Sequence, residues 1–231
     1  MPFLAIDSEF KTITSKKMPR NKKSKKTIAY EALKKRIISN SLKPGDPLNE
    51  RVISEELRIS KTPIREALQQ LEQDGFVDSI LHKGSFVSRI SLQDIREIFE
   101  VREILECAAA KGSALKGELD KLKAMKRKLE SIERVNGKTP LNLLKAGDQI
   151  HNYLFESFAN NRLTATYRRL QDHIDRLRMH FVTQFDLNRL EHSSKEHKEI
   201  LDALIARDPV AAENAVKTHL RNAQDHIKQL I

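Results

Sequence analysis

Residues 49–75 read NERVISEELRISKTPIREALQQLEQDG, and this stretch decides the fold. Asn49 offers a side-chain oxygen to cap a helix from Glu50 to about Leu57, whose apolar positions are Val52, Ile53 and Leu57. Arg58-Ile59-Ser60 is a short link. The next segment carries Pro63 near its first turn, where a missing N–H is harmless, and Gly75 stands where the residue just past that helix belongs. Ile64, Ala67, Leu68 and Leu71 recur at helical spacing and are expected to face inward, leaving Lys61, Thr62 and Arg65 on the exposed N-terminal face. Two short helices joined by a tight turn form a helix-turn-helix, the geometry that lays a second helix in the DNA major groove. Arg65 is placed there to read a guanine edge as a two-pronged donor. The competing reading is a plain helical hairpin with a solvated charged face, and the flanking sequence argues against it.

Upstream, Ile28, Leu33, Ile37 and Ile38 predict a helix from Thr27 that stops at Asn40, before the turn Lys43-Pro44-Gly45. Downstream, residues 76–81 and 85–88 flank His82-Lys83-Gly84 and predict a two-stranded hairpin with a basic tip, the wing of a winged helix-turn-helix. Charge is skewed the same way: residues 1–90 hold 18 basic against 11 acidic side chains, residues 91–231 hold 24 against 21. Lys16 to Lys26, KKMPRNKKSKK, carries seven cations and no acid. Residues 1–26 therefore read as a basic flexible tail, and composition leaves open whether it touches DNA or is a solvated arm. A proline-started second helix, a basic hairpin tip and a local excess of positive charge together point to DNA as partner for residues 27–90.

Beyond Ser91 the pattern changes. Ser91 with Asp94 has the form of a capping box, and long stretches of 3.6-residue period follow with hardly a glycine. Helices are expected at about 92–116, 119–135, 140–158, 161–187, 191–206 and 209–229, the last announced by Asp208-Pro209. The fold class is thus mainly α: a winged helix-turn-helix at residues 27–90, then an all-α helical bundle at 91–231. The lone cysteine, Cys107, excludes an internal disulfide and sits in an apolar helical pattern. No apolar run approaches the ~20 residues that cross a bilayer, and the N-terminus lacks a charged segment followed by an apolar core and a small-residue cleavage site, so a cytoplasmic location is expected.

The stretch from Leu42 to Val87 resembles the winged helix-turn-helix of the GntR family of bacterial regulators. The pieces that carry the likeness are Pro44-Gly45, Leu48-Asn49-Glu50, Ser60 to Leu68, Leu71-Glu72, Gly75 and Gly84-Ser85-Phe86-Val87. The resemblance implies that Arg51, Lys61, Arg65, Lys83 and Gly84 meet DNA, and Thr62 joins them through its place on the exposed N-terminal face of the second helix. Lys61 stands where the family usually has arginine; a lysine is a point charge rather than a planar fork, which suits a phosphate better than a base.

Residues 92–231 resemble the FCD ligand-binding domain of the FadR-type branch of that family. Spacing alone leaves open whether His151, His197 and His219 converge on a cation or are hydrogen-bonded structural residues. The resemblance places all three on metal-ligand positions of that branch, for zinc, nickel or manganese. It also expects an Asp four residues before the first histidine, where this chain has Gly147; Asp148, one residue on, is the nearest substitute. Arg102 matches an arginine that helps bind carboxylate effectors in the branch.

The reading that absorbs these features is a homodimeric transcription regulator, dimeric through residues 91–231. It binds a palindromic operator under control of a small effector, an organic acid. A metalloenzyme would share the three histidines but has no accompanying acid, base or nucleophile motif and leaves the helix-turn-helix without a purpose. An adaptor binding RNA or a membrane through the tail lacks stacking residues: there is no Trp, and aromatics are 5% of the chain.

Overall fold

The computed structural model describes residues 23–134, 140–181, 184 and 187–231. The first unit contains α1 (Lys25–Ile38), β1 (Pro47–Leu48), α2 (Glu50–Leu57), α3 (Lys61–Gln73), β2 (Val77–Ile80) and β3 (Gly84–Val87). The second contains α4 (Leu92–Lys116), α5 (Leu119–Arg134), α6 (Pro140–Phe158), α7 (Asn161–Phe181), α8 (Leu187–Ile205) and α9 (Pro209–Lys228). The basic tail lies outside the described residues as far as position 22. Its last four residues are not tail: Ser24 caps α1 by accepting a hydrogen bond from the Thr27 amide, so the helix starts at Lys25 rather than Thr27.

The helix-turn-helix forms as its sequence predicts. Asn49 Oδ1 accepts from the amides of Arg51 and Val52. Ile64, Ala67, Leu68 and Leu71 are buried together with Leu33, Ile37 and Phe76. The hairpin is instead a three-stranded sheet in the order β1-β3-β2, with Leu48 paired to Ser85 and Val77 to Val87, both antiparallel. The two-residue strand β1 escaped the sequence reading because it contains a proline and is too short to alternate. It is assembled by the turn before it, where Gly45 N–H donates to Val87 O at 2.8 Å and Val87 N–H donates to Asp46 O at 2.9 Å.

A separate buried cluster joins α4 to α9, with Ile95, Leu122, Leu129, Ile150, Leu154, Ile200 and Leu204 at its centre. The capping box at Ser91 and the Asp208-Pro209 start are both formed. The helix expected over 161–187 ends at Phe181, and Leu187 opens α8, four residues before the expected start. No glycine or proline punctuates that stretch; Thr183 and Asp186, residues of cap type, are the boundary signals between Phe181 and Leu187. Cys107 is buried, and burial pushes its thiol up to about 11.

Helix α7 touches both units. Lys34 of α1 pairs with Asp172, His173 stacks on Phe76 with ring centroids 4.3 Å apart, and Arg176 donates to the carbonyl of Ser88.

Gly75 ends α3 with φ +76°, its amide bonding Glu72 O and the next amide, of Phe76, bonding Leu71 O. This double closure needs a left-handed residue. Gly75→Ala should therefore cost ~1–2 kcal/mol of unfolding free energy in a urea titration, through backbone strain alone, since nothing blocks its Cβ nearer than His173 at 3.5 Å. An unchanged midpoint would show that the turn relaxes.

Candidate metal centre and DNA-facing surface

Helices α6, α8 and α9 each deliver one buried imidazole to a common point: His151, His197 and His219. His151 Nε2 lies 3.3 Å from His219 Nε2 and 3.2 Å from His197 Nε2. The tautomers make these contacts informative. His219 Nδ1 is 2.7 Å from Glu196 Oε2, which fixes the proton on Nδ1. His151 Nδ1 is 2.5 Å from Glu106 Oε2, a distance that an ionised carboxylate tolerates only if that nitrogen carries the proton, although the contact is not aligned as a hydrogen bond. In the neutral rings both Nε2 atoms are then lone pairs, and they face each other.

Burial pushes the imidazoles of His197 and His219 down, His219 to about 4 despite the opposing pull of Glu196. Both are neutral at pH 7. Two facing acceptors cannot satisfy one another, but a cation between them can. Nitrogens at 2.0–2.1 Å from a tetrahedral ion are separated by about 3.3 Å. The donor set thus fits a divalent metal in type and spacing, and Glu106 and Glu196 stand behind two of the rings as orienting carboxylates.

Glu106, on α4, is wholly buried. Burial would raise its carboxyl, yet Arg102, whose Nε donates to Oε1 at 2.8 Å, and His151 together hold it well below the usual carboxylate range. Neither Glu106 nor Glu196 was recognised from sequence. The signal for Glu106 was present: it lies one helical turn after Arg102, inside an otherwise apolar face of α4, and a buried charge needs a partner.

Asp148 is not brought to the imidazoles. It pairs with Arg178 of α7, and the clustered metal-ligand atoms are those of the histidines alone among the described residues. Gly147 explains the arrangement. A Cβ there would lie 2.5 Å from His197 Cε1 and 2.9 Å from its Nε2, so the ring of His197 fills the space a side chain at 147 would need. The imidazoles form part of the wall of a cavity of about 80 Å³ that is also lined by Phe99, Arg102, Ile174, Leu177 and Arg178.

On the other unit, Arg51, Lys61, Thr62, Arg65, Lys83 and Gly84 are all exposed. Lys61 and Thr62 open α3, and Arg65 is one turn on with its Nε 2.7 Å from Glu50 Oε2. That ion pair is largely in water and costs little to open. Lys83-Gly84 sits at the wing tip, with Gly84 at φ +94°.

Residues 25–87 match the gntR family of bacterial regulatory proteins, and residues 97–222 match the FCD domain. An HTH-type transcriptional regulator of Bacillus subtilis, YdhC, is 27% identical over 87% of this chain and 90% of its own length. The HTH-type transcriptional repressor RspR of Escherichia coli is 26% identical over 87% and 88%. A solved GntR-type regulator of Rhodococcus sp. RHA1 superposes with a TM-score of 0.72 at 26% identity, covering 90% of this chain and all of that one.

Because His197 occupies the space beside Gly147, Gly147→Ala should force the ring aside and cost ~1–3 kcal/mol by overpacking a closed site. Chemical denaturation of the purified variant reads this directly. A variant as stable as the wild type would mean that His197 is free to move away.

Proposed function

We propose, because the chain belongs to the gntR family of bacterial regulatory proteins, carries an FCD domain and is a DNA-binding transcription regulator, that its hold on DNA is set by a small ligand. The observation that carries this reading is the cavity at the meeting point of three buried imidazoles and the guanidinium of Arg102. An effector there is a small organic acid, since the cavity is small and Arg102 offers it paired N–H donors beyond the one held by Glu106. His151, His197 and His219 are the residues that would hold a divalent metal, zinc, nickel or manganese; Asp148, the expected fourth ligand, is turned to Arg178 and stands outside their cluster. When bound, the ion would tie α6, α8 and α9 together and supply a positive charge to an anionic ligand.

At the DNA, Arg65 reads a base edge while Arg51, Lys61, Thr62 and the Lys83-Gly84 tip position the unit on phosphates. One small module offers too little surface for strong specificity. A homodimer held through residues 91–231, on a palindromic operator with half-sites about 34 Å apart, supplies the second half. The family's work favours the cytoplasm; among the described residues no helix is long and apolar enough to cross a membrane.

Two measurements test the reading. Protein purified without chelator should carry metal by elemental analysis, and His197→Ala should lose it together with the thermal stabilisation that bound metal confers by mass action. A metal-free wild type that gains no stability from added zinc, nickel or manganese would remove the metal from the proposal. In gel-shift titrations at fixed salt, Arg65→Ala should lose ~1–3 kcal/mol of specific operator binding with the fold intact. Unchanged specific affinity would take base reading away from Arg65.

A further inference from the structure

Three arginines line the cavity, and their partners differ in a way that decides which can change hands. Arg102 is held by Glu106, which has no exposed surface at all, so taking Arg102 away would strand a buried carboxylate. Arg189 pairs with Glu196, which also holds His219 and Asn222. Arg178 differs: its partner Asp148 has a side chain 31% exposed and can be released into water. Asp148, Arg178 and Leu144 line not only the cavity but also a groove on the far side, beneath Tyr30, Lys34 and Ile38 of α1. The Asp148–Arg178 pair is thus the partition between the ligand cavity and the seam where the DNA-binding unit docks.

We propose that Arg178 is the anion-exchange residue of this protein: a small carboxylate entering the cavity takes Arg178 from Asp148, and the freed Asp148 competes with Asp172 for Lys34 of α1, loosening the DNA-binding unit. The proposal deepens the ligand-controlled reading above and rests on it. Its electrostatics are local. Asp148, Asp172 and Asp175 share the groove wall, and Lys34 and Lys35 face them from α1. With Arg178 paired, Asp148 is neutralised, and Lys34 is committed to Asp172. With Arg178 turned to a ligand, the groove gains an uncompensated carboxylate, and the other cations that line it are Lys145, one turn back on α6, and Lys34 and Lys35 of the other unit.

The helix that carries Arg178 is built to pass this on. Ile174, Leu177 and Arg178 face the cavity, while Asp172, His173 and Arg176, interleaved with them, hold Lys34, the Phe76 ring and the Ser88 carbonyl. Arg178 Nη1 also lies 3.4 Å from Asp175, which keeps the arginine tethered on its own helix when Asp148 lets go. The pair is a two-state element that both the ligand and the docking seam bias, which is what coupling between sites requires.

Full-length protein, titrated with acetate, succinate and citrate as probes, tests both halves by calorimetry and by amide hydrogen exchange over residues 27–38 and 72–88. Arg178→Gln should weaken binding of the responding carboxylate by about tenfold or more, with Arg178→Lys recovering part of it as a point charge. Asp148→Asn should bind that carboxylate more tightly than wild type, because Arg178 is already free. It should nevertheless fail to transmit: the ligand should raise exchange in the two segments severalfold in wild type and leave Asp148→Asn unchanged, since a neutral amide does not compete for Lys34. If wild type and Arg178→Gln bind equally well, this proposal falls and the ligand-controlled reading stands. Equal ligand-induced exchange in wild type and Asp148→Asn would overturn the coupling route. If none of the three probes binds either wild type or Asp148→Asn, the organic-acid reading fails and takes this inference with it.

Discussion

The carboxylate of Glu106 has no contact with water, and the chemistry of the helical unit follows from the need to keep it charged there. An isolated carboxylate in such a place would be protonated or excluded. Arg102 on one side and the protonated nitrogen of His151 on the other make ionisation favourable. Each of those partners is thereby constrained. Arg102 is committed to a structural pair, and His151 is held in the tautomer that turns its Nε2 lone pair inward. Glu196 imposes the same choice on His219. A buried acid and a half-buried one thus convert two histidines from ambiguous donors into acceptors aimed at one point.

That point lies where α6, α8 and α9 converge, and the same cavity is bounded by α4 and α7. The remaining wall matters because it is thin. Along most of its length α7 is packed by Ile174, Leu177 and Phe181 into the bundle core, yet the face one residue round carries the contacts to the first unit. A helix cannot be shifted on one face and left still on the other, since packed interiors transmit displacement rather than absorb it. The two apolar clusters, one under α3 and one under α4 to α9, are separate, so α7 meets the first unit through an ion pair, a ring stack and a hydrogen bond rather than through a shared core.

How much of this was legible in the sequence depended on whether the information was local. Caps, turns and helix faces are local, and Asn49, Gly75, Ser91 and Asp208-Pro209 do in the structure what their residue types predict. Strand β1 was not legible because its two residues become a strand only by pairing with Phe86 and Ser85, across nearly forty positions of chain. The three histidines could be named, through a family likeness, but their convergence is a property of packing that spacing does not contain. Asp148 was misplaced for the same reason: one helical turn from His151 it shares a broad face with that residue, and only the position of Arg178 on a different helix decides where its carboxylate goes. Glu106 was overlooked although its sequence carried a warning, a charge inside an apolar helix face one turn from another charge.

Gly147 looks, from sequence alone, like a lost ligand, and the structure turns it into a different statement. The missing side chain leaves volume that the His197 ring occupies, so the site has not been emptied but repacked around three imidazoles. Removing an anionic ligand from a metal site changes its charge as well as its geometry. An ion held by three imidazoles would keep its two positive charges at the centre, and Glu106 and Glu196 would temper that field from behind rather than by coordination. In a low-dielectric cavity an uncancelled charge favours an anionic partner strongly. Glycine at 147 therefore leaves the cavity without a fixed negative charge at that position, and the carboxylate next to it, Asp148, is neutralised by Arg178.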